Sequence, residues 1–136
     1  MVENVSSTQA WEALRADPMA RLVDVRTDAE WASVGVPDTS ETGTDPILIP
    51  WQFAPTMQVN PAFVEQLRQA GVTPEHTLFF ICRSGARSMA AALEAVGAGF
   101  VRAHNVADGF EGAPNMIGRR GTVSGWKAEG LPWRRR

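Results

Sequence analysis

Leu78-Phe79-Phe80-Ile81-Cys82-Arg83-Ser84-Gly85-Ala86-Arg87-Ser88 is the stretch from which the rest of the chain can be read. Four apolar residues lead into the single cysteine of a 136-residue chain. A short loop with arginines, serines and a glycine follows, and then an alanine-rich segment with Met89, Leu93 and Val96 at helical spacing. This order predicts a strand over Thr77–Cys82, a tight loop, and a helix that stops at Gly97 or Gly99. Strand, loop and helix in that order turn backbone N–H groups, and the positive end of a helix dipole, toward one sulfur atom. Such surroundings favour the thiolate, which is the nucleophilic form.

A lone cysteine at the end of an apolar strand is more often a small buried hydrophobe. Arg83 and Arg87 argue otherwise, because each guanidinium needs partners or water and sits badly in a core. Around an anion-binding loop both have a use. Cys82 is therefore read as a reactive, exposed nucleophile, and the loop as a site for an anionic substrate.

Outward from that loop, strands and helices alternate. Val5 and its neighbours suit a short first strand, and Ser6-Ser7-Thr8 can cap a helix carrying Trp11 and Leu14 that ends near Asp17-Pro18. Arg21–Arg26 is a short β-branched run without helical period, so it reads as a buried strand. Thr27-Asp28-Ala29-Glu30 matches a capping box opening the next helix, which accounts for Glu30 locally. Residues 35–46 are rich in Gly, Pro, Ser, Thr and Asp and read as a long loop. Pro46–Pro50 is another short strand, and Asn60-Pro61 opens a helix with Phe63, Val64 and Leu67 on one stripe. Phe100–Val106 reads as the last strand. The alternation predicts an α/β domain with a parallel sheet covered on both faces, and reactive groups at the carboxyl ends of its strands.

Composition bounds the rest. The chain is 44% hydrophobic and 21% charged with a net charge of −2, ordinary for a globular domain. No overall basic excess points to nucleic acid, and no apolar run reaches the ~20 residues of a membrane span. One cysteine excludes an internal disulfide, a CxxC redox pair and multi-cysteine zinc sites. His76 and His104 lack metal-ligand spacing, so neither a metal nor a cofactor is expected. A reducing, cytoplasmic setting suits one reactive thiol. The length fits a single domain over 1–136, with a core over about 5–112 and an extension over 113–136 that packs on it through Trp126 and Trp133.

Taken together, Leu22-Val23-Asp24-Val25-Arg26, Glu30-Trp31, Ile49-Pro50, Cys82-Arg83-Ser84-Gly85-Ala86-Arg87-Ser88 and Asp108-Gly109-Phe110-Glu111-Gly112 resemble, in order, the rhodanese (thiosulfate sulfurtransferase) family of single-domain type. The resemblance implies a central five-stranded parallel sheet with helices on both faces. It implies a Cys82 persulfide, formed from thiosulfate or a related small anionic donor and passed to cyanide, a thiol or a protein acceptor. It also implies that Arg83 and Arg87 orient the donor's oxygens. The N–H groups of Ser84, Gly85, Ala86, Arg87 and Ser88 would hold the outer sulfur, with Asp24 and Arg26 in support. The family's usual Gly-His-Ile-Pro-Gly is replaced here by Gly35-Val36-Pro37-Asp38.

Two other readings use the same loop. A persulfide carrier or regulatory module needs Cys82 without rapid turnover. A cysteine phosphatase of related fold would need one more residue between Cys and Arg than the four, Arg83 to Ala86, found here.

Overall fold

In the computed structural model, which describes residues 2–136, the strand ahead of Cys82 lies at the centre of a five-stranded parallel sheet. The chain runs β1 (Glu3–Val5), α1 (Ser7–Ala16), β2 (Ala20–Asp24), α2 (Asp28–Val34), β3 (Val36–Pro37), β4 (Ile47–Leu48), β5 (Gln52–Phe53), β6 (Gln58–Val59), α3 (Phe63–Gln69), β7 (Thr77–Ile81), α4 (Ala86–Gly97), β8 (Ala103–Val106) and β9 (Trp133–Arg134). The main sheet has the order β1-β8-β7-β2-β4. Strand β7 is in register with β2 from Ala20↔Thr77 to Asp24↔Ile81, and with β8 from Leu78↔Ala103 to Phe80↔Asn105.

Side chains alternate across β7, as the two-residue period of a strand requires. Leu78, Phe80 and Cys82 face a core cluster with Phe63 and Leu67 of α3 and Ala91, Ala92 and Ala95 of α4. Phe79 and Ile81 face a second cluster with Ala10, Trp11 and Leu14 of α1, joined by Phe110 and Trp126. Both faces of the sheet are therefore covered by helices. The small alanines of α4 let the helix lie close on β7, which brings its N-terminus down over Cys82. Burying each large side chain contributes about 1.5–3 kcal/mol.

Both capping boxes form. Ser6 and Gln9 close α1, and Thr27 and Glu30 close α2. Other expectations shift at their edges. Helix α3 begins at Phe63, because Asn60 first takes the Ala62 N–H on Oδ1 and donates Nδ2 to the Pro50 carbonyl and Gln66 Oε1. The last strand begins at Ala103, because Phe100 is held by a bond from its N–H to the Ala95 carbonyl and packs in the core.

The 35–46 segment is not loop throughout. Val36–Pro37 forms an antiparallel pair with Trp133–Arg134 at the far end of the chain. Trp126 is fully buried, stacks edge-on with Trp11 at 5.8 Å, and donates Nε1–H to the Pro132 carbonyl at 2.6 Å.

Candidate active site

Cys82 follows β7 directly, and its backbone is fixed from the segment after β8. The Phe110 N–H donates to the Cys82 carbonyl at 2.8 Å, while those of Glu111 and Gly112 donate to the Arg83 carbonyl at 3.1 and 3.0 Å. Gly109, at φ 72°, lies against the peptide joining Arg83 to Ser84, and any Cβ there would overlap the Arg83 carbonyl. Gly85 turns the loop at φ 108° against the Ala107 carbonyl, a conformation and a closeness that only glycine permits. The Asp108–Gly112 segment thus works as a rear cradle for the loop.

At the sulfur, the Gly85 N–H donates to Sγ at 3.1 Å, and Ser88 Oγ lies 3.2 Å from it. The N–H groups of Ala86, Arg87 and Ser88 belong to the first turn of the twelve-residue helix α4, where no intrahelical carbonyl is available. They add the positive end of that helix to the site. The expectation of an exposed thiol is corrected: Cys82 is only 1% exposed. It closes the central strand, flanked by β2 and β8, and its side chain points inward beneath α4. Arg83, Ser84 and Ala86 form the exposed rim above it.

The two loop arginines differ. Arg83 is exposed and forms no ion pair among the described residues. Arg87 is gripped by Glu30 in a two-pronged pair, Nη1 to Oε1 at 2.7 Å and Nη2 to Oε2 at 2.9 Å, with side chains 18% and 21% exposed. Burial works against a charge on Glu30. The Arg87 hydrogen bonds and charge outweigh it, with help from the Thr27 N–H and hydroxyl, and lower its pKa from 4.5 to about 2. The Arg87 guanidinium is in turn held charged by its hydrogen bonds to Glu30 against the effect of burial, with smaller contributions from Cys82 and Asp24.

Asp24 and Arg26 make a second pair, fully buried. Arg26 Nη2 and Nε reach Asp24 Oδ2 and Oδ1 at 2.7 and 3.0 Å, and Nη2 also donates to the Gly35 carbonyl at 2.8 Å. The guanidinium lies 4.2 Å over the Phe110 ring. Between the pair, the Val25 N–H donates to the Ile81 carbonyl at 2.9 Å, which ties the end of β2 to the residue before Cys82. Neither side chain is hydrogen-bonded to Cys82; the pair braces the strand ends beneath it.

For three residues the sequence reading gave no role at the loop, although Glu30 and Gly109 stand in the motifs quoted above. Glu30 was accounted for by its cap, and nothing local announces a partner 57 residues away. Gly109 carries no signal of what presses on it. Asn105 did leave a trace, because a polar amide in a buried parallel strand needs partners. Its Oδ1 accepts from Ser88 Oγ at 2.5 Å, and its Nδ2 donates to the Gly85 carbonyl at 3.1 Å. Among the described residues, no group of three or more His, Cys, Asp or Glu is placed to hold a metal.

A five-stranded parallel sheet with helices on both faces is a rhodanese-like α/β fold. Solved structures with a similar fold include a rhodanese-related protein from Thermoplasma volcanium, 18% identical, with a TM-score of 0.59 and coverage of 98% of this chain and 99% of that one. The polysulfide-sulfur transferase homodimer of Wolinella succinogenes is 21% identical, with a TM-score of 0.64 over 99% of this chain and 80% of that one. The chain belongs to the STR4 middle domain family, whose description matches residues 2–136. It is also similar to Rv0390 from M. tuberculosis, whose crystal structure is 43% identical with a TM-score of 0.90, covering 99% of this chain and 98% of that one. No helix among the described residues is long and apolar enough to cross a membrane.

Proposed function

We propose that this protein is a sulfurtransferase in which Cys82 carries the transferred sulfur as a persulfide. The observation that carries the proposal is the placement of Sγ: a Gly85 N–H aimed at it at 3.1 Å, under the unpaired amides of the α4 first turn. A site of this kind stabilises negative charge on sulfur and on an atom attached to it.

In the first half-reaction, the Cys82 thiolate attacks the outer sulfur of thiosulfate or a related sulfane donor. The donor's S–S bond breaks and its electron pair leaves with sulfite. In the second, cyanide or a thiol attacks the outer sulfur of the persulfide, and the Cys82 thiolate departs with the electron pair of the bond that breaks. No net oxidant is needed, because one S–S bond is exchanged for another or for an S–C bond. Stabilising Cys82 as an anion assists it as leaving group in the second step. Arg83, exposed and without an ion-pair partner among the described residues, is the guanidinium available to meet an anionic donor.

The length of the loop argues against phosphoryl chemistry: four residues separate Cys82 from Arg87, one fewer than a cysteine phosphatase needs. Glu30 engages two of the five N–H donors of Arg87 and fixes the plane of its guanidinium. The test is steady-state thiocyanate formation from thiosulfate and cyanide, run beside hydrolysis of an aryl phosphate. Ping-pong thiocyanate kinetics, lost in Cys82→Ser, are expected with no Cys82-dependent phosphate release. Phosphate turnover that disappears in Cys82→Ser, without thiocyanate formation, would reverse the assignment.

A further inference from the structure

Ser88 has one hydroxyl proton and three acceptors. Its Oγ lies 3.2 Å from Cys82 Sγ, 3.2 Å from the Gly85 carbonyl and 2.5 Å from Asn105 Oδ1. All of these groups are buried. The orientation of the Asn105 amide is fixed by chemistry: the Gly85 carbonyl can only accept, so the Asn105 atom 3.1 Å from it is the NH2 group and the opposite oxygen faces Ser88. The same NH2 group also reaches Asn4 Oδ1 on β1 at 3.0 Å. One side chain from β8 therefore touches both elements that serve the sulfur: the Gly85 turn and the Ser88 hydroxyl.

From this geometry we infer that Asn105 is a positioning residue that keeps the Ser88 proton available to Cys82. Its NH2 group, together with the Met89 N–H at 3.2 Å, fills both lone pairs of the Gly85 carbonyl and so removes that carbonyl as a competitor for the proton. Its oxygen holds the hydroxyl oxygen 3.2 Å from Sγ. While the sulfur is neutral, the Ser88 hydroxyl donates to Asn105 Oδ1. When Cys82 becomes a thiolate, the hydroxyl turns to it, because a hydrogen bond to an anion is about twice as strong as one between neutral groups. Without Asn105, the Gly85 carbonyl keeps only the Met89 N–H, nothing holds the Ser88 hydroxyl beside the sulfur, and the hydroxyl divides between that carbonyl's free lone pair and Sγ. The thiolate then keeps the Gly85 N–H but holds the Ser88 bond for only part of the time.

This role rests on Cys82 acting as a thiolate nucleophile, as in the sulfur-transfer proposal, but its test requires no sulfur transfer. The measurement is the rate constant for alkylation of folded protein by iodoacetamide, at one pH below the plateau of the reaction, for wild type, Ser88→Ala, Asn105→Ala and the double variant. Losing one hydrogen bond to a charged group lowers the thiolate population about tenfold, and the higher nucleophilicity of the less stabilised thiolate offsets part of that. Each single variant is therefore expected to react about threefold to tenfold more slowly, and the double variant no more slowly than Ser88→Ala alone. A merely structural asparagine would lower the unfolding temperature while leaving the rate constant of the folded protein unchanged, or would slow both Ser88 backgrounds by the same factor. Either outcome overturns the assignment. Asn105→Val suits a strand, removes the same two groups and must give the same pattern where Asn105→Ala does not fold. If thiocyanate assays fail while this non-additivity holds, the sulfur-transfer proposal falls and the role of Asn105 stands.

Discussion

Replacing Glu30 with glutamine keeps the side-chain volume and removes the charge that holds Arg87. In the wild type the carboxylate takes four hydrogen bonds: two from Arg87, and one each from the Thr27 N–H and hydroxyl at 3.1 Å. Its pKa in the folded protein is about 2, against 4.5 for the ordinary group. A depressed carboxylate stabilises the fold fully above its unfolded value, and that contribution drains away as pH falls from 4.5 toward 2. The full shift corresponds to about 3 kcal/mol. Water reaches the edge of the pair, whose side chains are 18% and 21% exposed, so the part that survives screening is about 1–2 kcal/mol. Guanidinium unfolding at pH 7 should show Glu30→Gln less stable than wild type by that amount, equivalent to roughly 4–7 °C in unfolding temperature. The gap should narrow steadily below pH 4.5 and close near pH 2. A gap of the same size at pH 7 and pH 2.5, or none at pH 7, would refute the electrostatic account of this pair.

Three further outcomes follow from the site. Arg83→Ala should raise KM for thiosulfate about fivefold to tenfold, the loss of one charge-assisted contact, with unfolding temperature unchanged within about 2 °C; an unaltered KM removes Arg83 from donor binding. Gly109→Ala should cut thiocyanate turnover at least about tenfold while circular dichroism stays native, because the new methyl group overlaps the Arg83 carbonyl and displaces the loop; wild-type turnover would mean that the cradle does not set the geometry. Trp126→Ala should cost about 3–5 kcal/mol in denaturant unfolding, since this fully buried ring anchors the C-terminal segment beside Trp11; a loss below about 1 kcal/mol would mark the segment as dispensable.

What could be read from the sequence was what the chain decides locally. The β7-loop-α4 unit is legible because an apolar run, one glycine and an alanine-rich stretch each act within a few residues. The Thr27 capping box is legible for the same reason. What was hidden depends on distant partners. Val36–Pro37 is a strand only because Trp133–Arg134 lies beside it. Glu30 looks complete as a cap until Arg87 arrives from another helix. The depth of Cys82 is also a tertiary fact: the sequence places it at the end of a strand, but only the order β8-β7-β2 makes that strand central and encloses its last side chain. Asn105 sits between these cases, since its polarity in a buried strand demanded a partner without naming Ser88 or Gly85.

The most direct measurement is the intact mass of the protein after incubation with thiosulfate. A gain of one sulfur atom, removed by cyanide and absent in Cys82→Ala, is the result expected if this thiol takes up and hands on sulfur. An unchanged mass, or a gain that persists in Cys82→Ala, would contradict it.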